Sequence, residues 1–212
     1  MNVKYVLFDV AGTLLYKPTI LSNIQQVLIK SGYKIAEKDL SLKHKLLSEI
    51  IHFPDKTDKI FYSYFNSELL FSLGIIPNEA LLNAIFDSCS YLPWEKFEDT
   101  TILKEINVSI GIISNFNASL KDKLTGFFGD IFTDVFVSEE IGIAKPKLAF
   151  YEHAIQKIKV NPENILYIGD SIKLDIKPAK ELGIKTLLID RHDFFPLHKE
   201  RILSLQELKR YL

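Results

Sequence analysis

The sequence predicts an α/β protein in which a parallel sheet carries helices on both faces and is interrupted by a helical insertion. Three observations lead there. Short runs rich in β-branched and aromatic residues recur along the chain with helical patterns between them. The stretch from about residue 16 to residue 94 instead reads as consecutive helices without strand signals. A chain of 212 residues, 47% hydrophobic and 25% charged, is long enough to bury a full core and to hold an insertion.

The first predicted strand spans residues 3–9 and has the make-up of a buried parallel strand. Further strands are expected at 108–114 (VSIGIIS), 134–138 (DVFVS), 165–170 (ILYIGD) and 185–190 (KTLLID), with helices at about 118–127, 146–158 and 172–182. Pro146 falls near a first helical turn and Gly183 just past a helix end, the asymmetry that helix boundaries show. Residues 202–212 read as a short closing helix. Four helices fill the insertion, at 20–30, 38–51, 57–73 and 78–90, separated by Ser31-Gly32, Phe53-Pro54 and the 74–77 segment. The expected division is therefore a core of residues 1–15 and 95–212 around a helical domain of residues 16–94. Within that domain Phe61, Tyr62, Tyr64, Phe65 and Phe71 form an aromatic group, read mainly as packing for the domain's own core.

Composition excludes several function classes. A net charge of −1 and a pI near 6.5 give no basic footprint for nucleic acid. No apolar stretch reaches the roughly 18 residues of a membrane span, and MNVKYVLFDV lacks the apolar core of a signal peptide. The single cysteine, Cys89, rules out an internal disulfide and any multi-cysteine zinc site, as suits a reducing cytosol. The expectation is a cytoplasmic protein.

Chemistry-bearing residues collect where strands end. Asp9 closes the first strand in FDVAGTLL, where a rigid backbone meets a glycine turn. Ser114 and Asn115 stand at the end of IGIIS, offering a hydroxyl and backbone N–H groups to a phosphoryl oxygen. Lys145 precedes Pro146 and could balance phosphate and carboxylate charge together. In GDSIKLD, Asp170 ends a strand and Asp175 lies five residues on, a hard-oxygen pair suited to Mg²⁺. In an open α/β sheet all these strand ends share one crevice.

The order DxxGTL, Ser-Asn, Lys-Pro, GDSxxxD, with a helical insertion after the first motif, resembles the haloacid dehalogenase-like (HAD) hydrolase superfamily, in its subfamily with a C1-type helical cap. The resemblance covers essentially the whole chain. It implies a Rossmann-like core of three α/β/α layers with the inserted helices as a cap, and a small phosphorylated metabolite as substrate. It implies Asp9 as nucleophile and Lys145 as stabilising cation, with Gly12, Thr13, Ser114 and Asn115 at the phosphoryl group. Mg²⁺ would be held by Asp9, the Ala11 backbone carbonyl and Asp170, with Asp175 in support.

One residue departs from that pattern. Phosphatases of this family usually have an Asp two residues after the nucleophile, to protonate the leaving oxygen and then activate water; here Ala11 can do neither. Three readings stay open. The first is a Mg²⁺-dependent phosphohydrolase whose missing proton transfers come from elsewhere. The second is a phosphonate C–P hydrolase, which would need a Schiff-base lysine among Lys43, Lys45, Lys56 and Lys59. The third is a weakly catalytic phosphate- and Mg²⁺-binding regulatory protein. A 2-haloacid dehalogenase fits poorly, because such an enzyme is expected to use a cap-side Arg and the first Arg in the chain is Arg191.

Overall fold

A computed structural model describes residues 2–54 and 57–212 and divides them into two compact units, residues 17–95 and the remainder. Six parallel strands form the sheet of the larger unit. Their spatial order is Asp134–Val137, Ser109–Ser114, Tyr5–Phe8, Ile165–Gly169, Lys185–Ile189 and Arg201–Ile202. This is the α/β, Rossmann-like architecture expected of the sequence. Tyr5–Phe8 lies centrally, fully buried, with Phe8 level with Ile112 on one side and Ile168 on the other. That register brings the residues following three strands to a common edge.

The helices Leu120–Phe128 and Leu148–Ile158 fall close to expectation. One face of the sheet packs Tyr5, Leu7, Ile113 and Tyr167 against Phe150, Tyr151 and Ala154 of the second of these helices. Pro146 does not enter a first turn, because the helix starts at Leu148 with Lys147 as its cap. A second difference lies at residues 172–182, where one regular helix was expected. Residues Ile172–Ile176 instead form a wide turn in which the Ile176 N–H donates to the Ser171 carbonyl, before an ordinary helix Lys177–Glu181 begins. Such widened turns are frequent at functional sites.

The C-terminal segment also differs. Arg201–Ile202 adds a sixth strand, and Leu205–Arg210 is a tight helical turn closed by a Ser204/Glu207 capping box. A two-residue strand carries no alternation to read, so only its ladder partners reveal it: the Leu188 N–H donates to the Glu200 carbonyl and the Asp190 N–H to that of Ile202.

Unit 17–95 is helical as expected, with Ile20–Lys30, Glu37–Ile50, Lys59–Ser72 and Glu79–Cys89. Asp58 and Asn78 cap the third and fourth helices by accepting from the N–H groups of Phe61 and Leu81. Its core is aliphatic: Ile24 and Leu28, one turn apart, meet Leu40, Leu69, Leu70, Leu81 and Ile85. Of the aromatic group, Phe65 is buried while Tyr64 and Phe71 are exposed. Among the described residues no helix is long and apolar enough to cross a membrane.

Candidate active site

The site is built on the ends of the central strands of the larger unit. The Asp9 N–H donates to the Ile168 carbonyl (2.9 Å), so the sheet holds Asp9 although its own strand ends at Phe8. The chain then turns back tightly, with the N–H groups of Thr13, Leu14 and Leu15 all donating to the Val10 carbonyl. Gly12 makes this turn at φ +85°, and a Cβ built there would stand 2.4 Å from an Asp170 carboxylate oxygen. Only glycine fits both the backbone and the space. Ala11 sits in this turn with its side chain exposed.

Asp9 is 5% exposed and both its oxygens are engaged: Lys145 Nζ donates to one (2.6 Å) and the Thr13 hydroxyl to the other (3.2 Å). Lys145, 3% exposed, also donates to Asp175 (2.7 Å). Asp175 lies in the wide turn and is anchored further by the Tyr167 hydroxyl (2.8 Å) and the Ser171 N–H (3.0 Å). Gly169 leaves room for it, since a Cβ there would reach 2.4 Å from the Asp175 carboxyl carbon. Lys145 is thus clamped between two carboxylates from different strand ends.

Asn115 takes a part that the sequence did not announce. Its side-chain amide is committed to the Lys145 backbone, accepting from that N–H (2.7 Å) and donating to that carbonyl (3.0 Å). It positions the lysine loop instead of offering its side chain to a phosphoryl group. Ser114 ends its strand 2% exposed, and its hydroxyl has no hydrogen-bond partner among the described residues. The register places it at the same sheet edge as Asp9.

Asp9, Asp170 and Asp175 each offer an oxygen, and these atoms lie within 4.8 Å of one another. Burial pushes the Asp9 carboxyl up to about 7; Lys145 opposes that shift, while Asp175 and Asp170 add to it. Burial works against the Lys145 charge as well, but Asp175 and Asp9 outweigh it and hold the amine protonated, well above the usual lysine range. The two shifts pull in opposite senses, since attraction alone would lower Asp9. For Asp9 its burial decides, with the neighbouring carboxylates adding to it, while for Lys145 the two adjoining carboxylates decide.

Three supporting residues escaped the sequence reading. Tyr167 looked like strand filler; its one signal is a hydroxyl inside an aliphatic strand, which needs a partner when buried. Tyr151 donates from the opposing helix to the Leu174 carbonyl, bracing the wide turn. Arg191 donates to the Thr13 carbonyl (2.7 Å), forks onto Asp99 (2.7 and 3.0 Å) and lies over the Phe97 ring, so it steadies the loop that follows Asp9.

The family model of the haloacid dehalogenase-like hydrolases matches residues 3–183. The chain belongs to this family. Among relatives of this HAD hydrolase, glyceraldehyde 3-phosphate phosphatase of Methanocaldococcus jannaschii is 27% identical, over 97% of this chain and 95% of that protein. Pyrimidine 5'-nucleotidase YjjG of Escherichia coli is 32% identical over 64% of this chain and 62% of its own length. In fold, the chain resembles the HAD-hydrolase YfnB of Bacillus subtilis, solved bound to magnesium, with a TM-score of 0.66, 20% identity and coverage of 100% and 99% of the two chains. With phosphatases among its relatives, this HAD hydrolase is phosphatase-like.

Proposed function

We propose that the chain is a Mg²⁺-dependent phosphohydrolase of small phosphorylated metabolites, working through a phosphoryl group carried on Asp9. The observation that supports this reading best is a buried Asp9 bound to Lys145 inside a cluster of three carboxylates whose oxygens converge within 4.8 Å. Converging hard-oxygen donors of this kind suit a divalent cation. Asp9, Asp170 and the Ala11 carbonyl would hold Mg²⁺, with Asp175 in support, and the bound ion would supply charge neutralisation at the phosphoryl oxygens.

The chain's own groups account for the rest. A carboxylate oxygen of Asp9 attacks phosphorus, and the bond from phosphorus to the leaving oxygen breaks. Lys145, braced from behind by Asp175, meets the charge of the incoming group, while the Thr13 and Ser114 hydroxyls donate to its oxygens. Water then attacks phosphorus, the Asp9–phosphorus bond breaks, and phosphate leaves with the carboxylate restored. At position 11 no carboxylate gives a proton to the leaving oxygen or takes one from water. Those protons are exchanged with substrate or solvent, at a cost of about 10²- to 10⁴-fold in rate.

The C–P hydrolase reading finds no support in the helical unit. Lys45 pairs with Glu49 (3.2 Å), Lys43 is partly exposed and Lys59 is exposed; Lys56 lies outside the described residues. A Schiff-base lysine needs a desolvated amine. The test is phosphate release from p-nitrophenyl phosphate, whose leaving group needs no proton. Release that depends on Mg²⁺ and vanishes in Asp9→Asn is expected; release that survives either change refutes the reading.

A further inference from the structure

The helical unit contains a cavity of about 490 Å³, built wholly from residues 17–91 and within the size range of small-molecule sites. Its walls are aromatic. Phe53 meets Phe65 edge-on (ring centroids 5.2 Å apart), and Tyr62 and Phe86 form a second, tilted pair (6.2 Å). Flat rings stack on such side chains with a tolerance that aliphatic walls lack.

Asn66 makes the cavity more than a packing defect. It sits in the helix Lys59–Ser72 beside Phe65, one turn before Leu69 and Leu70, on a face that otherwise buries apolar side chains. It is 5% exposed, the only polar side chain so buried among the described residues of this unit. Its amide lines the cavity and has no hydrogen-bond partner among the described residues. An amide that faces a cavity from an otherwise apolar helix face pairs with whatever fills that cavity, water or a ligand, and can read a ligand's own donors and acceptors.

The other polar groups limit what that can be. His44 also lines the cavity, edge-on to Phe65 (5.1 Å), and neither of its ring nitrogens has a hydrogen-bond partner among the described residues. Burial first, and Lys45 second, lower His44 to about 4, so at neutral pH it offers one donor and one acceptor. The Tyr62 hydroxyl accepts from Thr57 (3.3 Å) and keeps its proton to give. Lys59 lies over the Phe86 ring (5.7 Å). One oxygen of the Asp58 carboxylate, Oδ1, is taken up in capping its helix. Donors outnumber acceptors, so a matching ligand presents more carbonyls than N–H groups.

We propose that this cavity binds a flat six-membered ring with an imide edge, two carbonyls flanking one N–H, stacked among Phe53, Tyr62, Phe65 and Phe86 and read by the Asn66 amide. Uracil and thymine rings have that edge. Asn66 Oδ1 accepts from the ring N–H while its NH₂ donates to one carbonyl; His44 or Tyr62 serves the other. The ring could belong to a free base or nucleoside, or to a phosphorylated substrate. The proposal concerns binding and stands whether or not Asp9 turns over phosphate.

The experiment is calorimetric titration of the full-length protein and of Asp9→Asn with uridine, 3-methyluridine, cytidine and uridine 5'-monophosphate. Uridine is expected to bind both proteins with one site, and to bind roughly tenfold or more tightly than 3-methyluridine, which lacks the N–H, or cytidine, which replaces a carbonyl by an amine. Asn66→Leu is expected to lose uridine binding by a similar factor while raising Tm, because an aliphatic side chain suits that otherwise apolar helix face better than a cavity-facing amide. Tighter binding of the monophosphate than of uridine assigns the ring to a phosphorylated substrate; equal binding assigns it to a free molecule. The proposal is overturned if uridine does not bind at millimolar concentration, if 3-methyluridine binds as well, or if Asn66→Leu lowers Tm. Each of those results would make this a hydrated cavity only. The 3-methyluridine comparison needs no variant, and phosphate release from p-nitrophenyl phosphate reports separately on Asp9.

Discussion

Restoring a carboxylate at position 11 tests how much of the chemistry the remaining site retains. Ala11 lies exposed in the turn after Asp9, so Ala11→Asp adds a side chain without displacing a neighbour, and a stability change within about 0.5 kcal/mol is expected with Mg²⁺ present. The gain expected from one general acid-base is about 10²- to 10⁴-fold, which at roughly 1.4 kcal/mol per decade lowers the barrier by about 3 to 5.5 kcal/mol. The benefit should depend on the leaving group: largest for an alkyl phosphate, whose oxygen needs a proton, and smaller for p-nitrophenyl phosphate, where only the water step gains. The structure adds a condition. Position 11 adjoins Gly12, which abuts Asp170, and lies two residues from Asp9, so a further carboxylate there raises the repulsion, and the variant should gain rate only with Mg²⁺. The assay is steady-state release from both esters, with acid-quenched protein counted for bound phosphate. Native protein should retain label on Asp9 longer than the variant does. Equal rates and equal label lifetimes would refute the argument that position 11 limits turnover.

Gly12→Ala should be severely impaired in Mg²⁺-dependent release and lose about 1–3 kcal/mol in urea denaturation, because the new Cβ meets Asp170 at 2.4 Å and φ +85° is strained for alanine. Lys145→Met leaves Asp9 and Asp175 buried without their shared cation; a loss of about 3–5 kcal/mol is expected, and unchanged stability would show that the clamp is not an ion pair. The Asp99 site gives a pH signature. Burial raises its carboxyl, but Arg191, the Leu205 N–H and the Ser204 hydroxyl outweigh that and hold it below the usual carboxylate range. A depressed folded-state value contributes stability that is complete above the ordinary carboxylate pKa and is lost as pH falls through the folded one. The stability advantage of native protein over Asp99→Asn, about 2 kcal/mol at neutral pH, should therefore shrink in acid below about pH 4; an advantage that grows there would contradict the assignment.

The site was legible to different depths. Asp9 and Asp170 could be read because each ends an apolar run, and Gly12 because a turn after a buried strand favours glycine. Asn115 was noticed for its backbone N–H while the task of its side chain went unread, since Ser-Asn after a strand looks the same whether the amide faces substrate or holds a neighbouring loop. Arg191 registered only as the first arginine in the chain. Its contact with Thr13 spans 178 residues of sequence, and nothing near residue 191 announces it. The wide turn at Ile172–Ile176 looked like ordinary helix, because one extra residue in a turn scarcely changes a local hydrophobic pattern.

By itself, the sequence determined the alternation of strands and helices, the helical insertion and the order of the motifs. All of these follow from periodicity and from turn chemistry acting over a few residues. Only the tertiary structure decided what those residues do together. Lys145 meets Asp9 across 136 residues and Asp175 across 30, and Tyr167 holds Asp175 from within a strand that looked merely apolar. The same holds for Asn66, a polar interruption of an apolar helix face that becomes a recognition group only once four helices enclose a cavity around it. Periodicity reports which face of an element is buried; the partner a buried polar group finds depends on chain packing that no local pattern encodes.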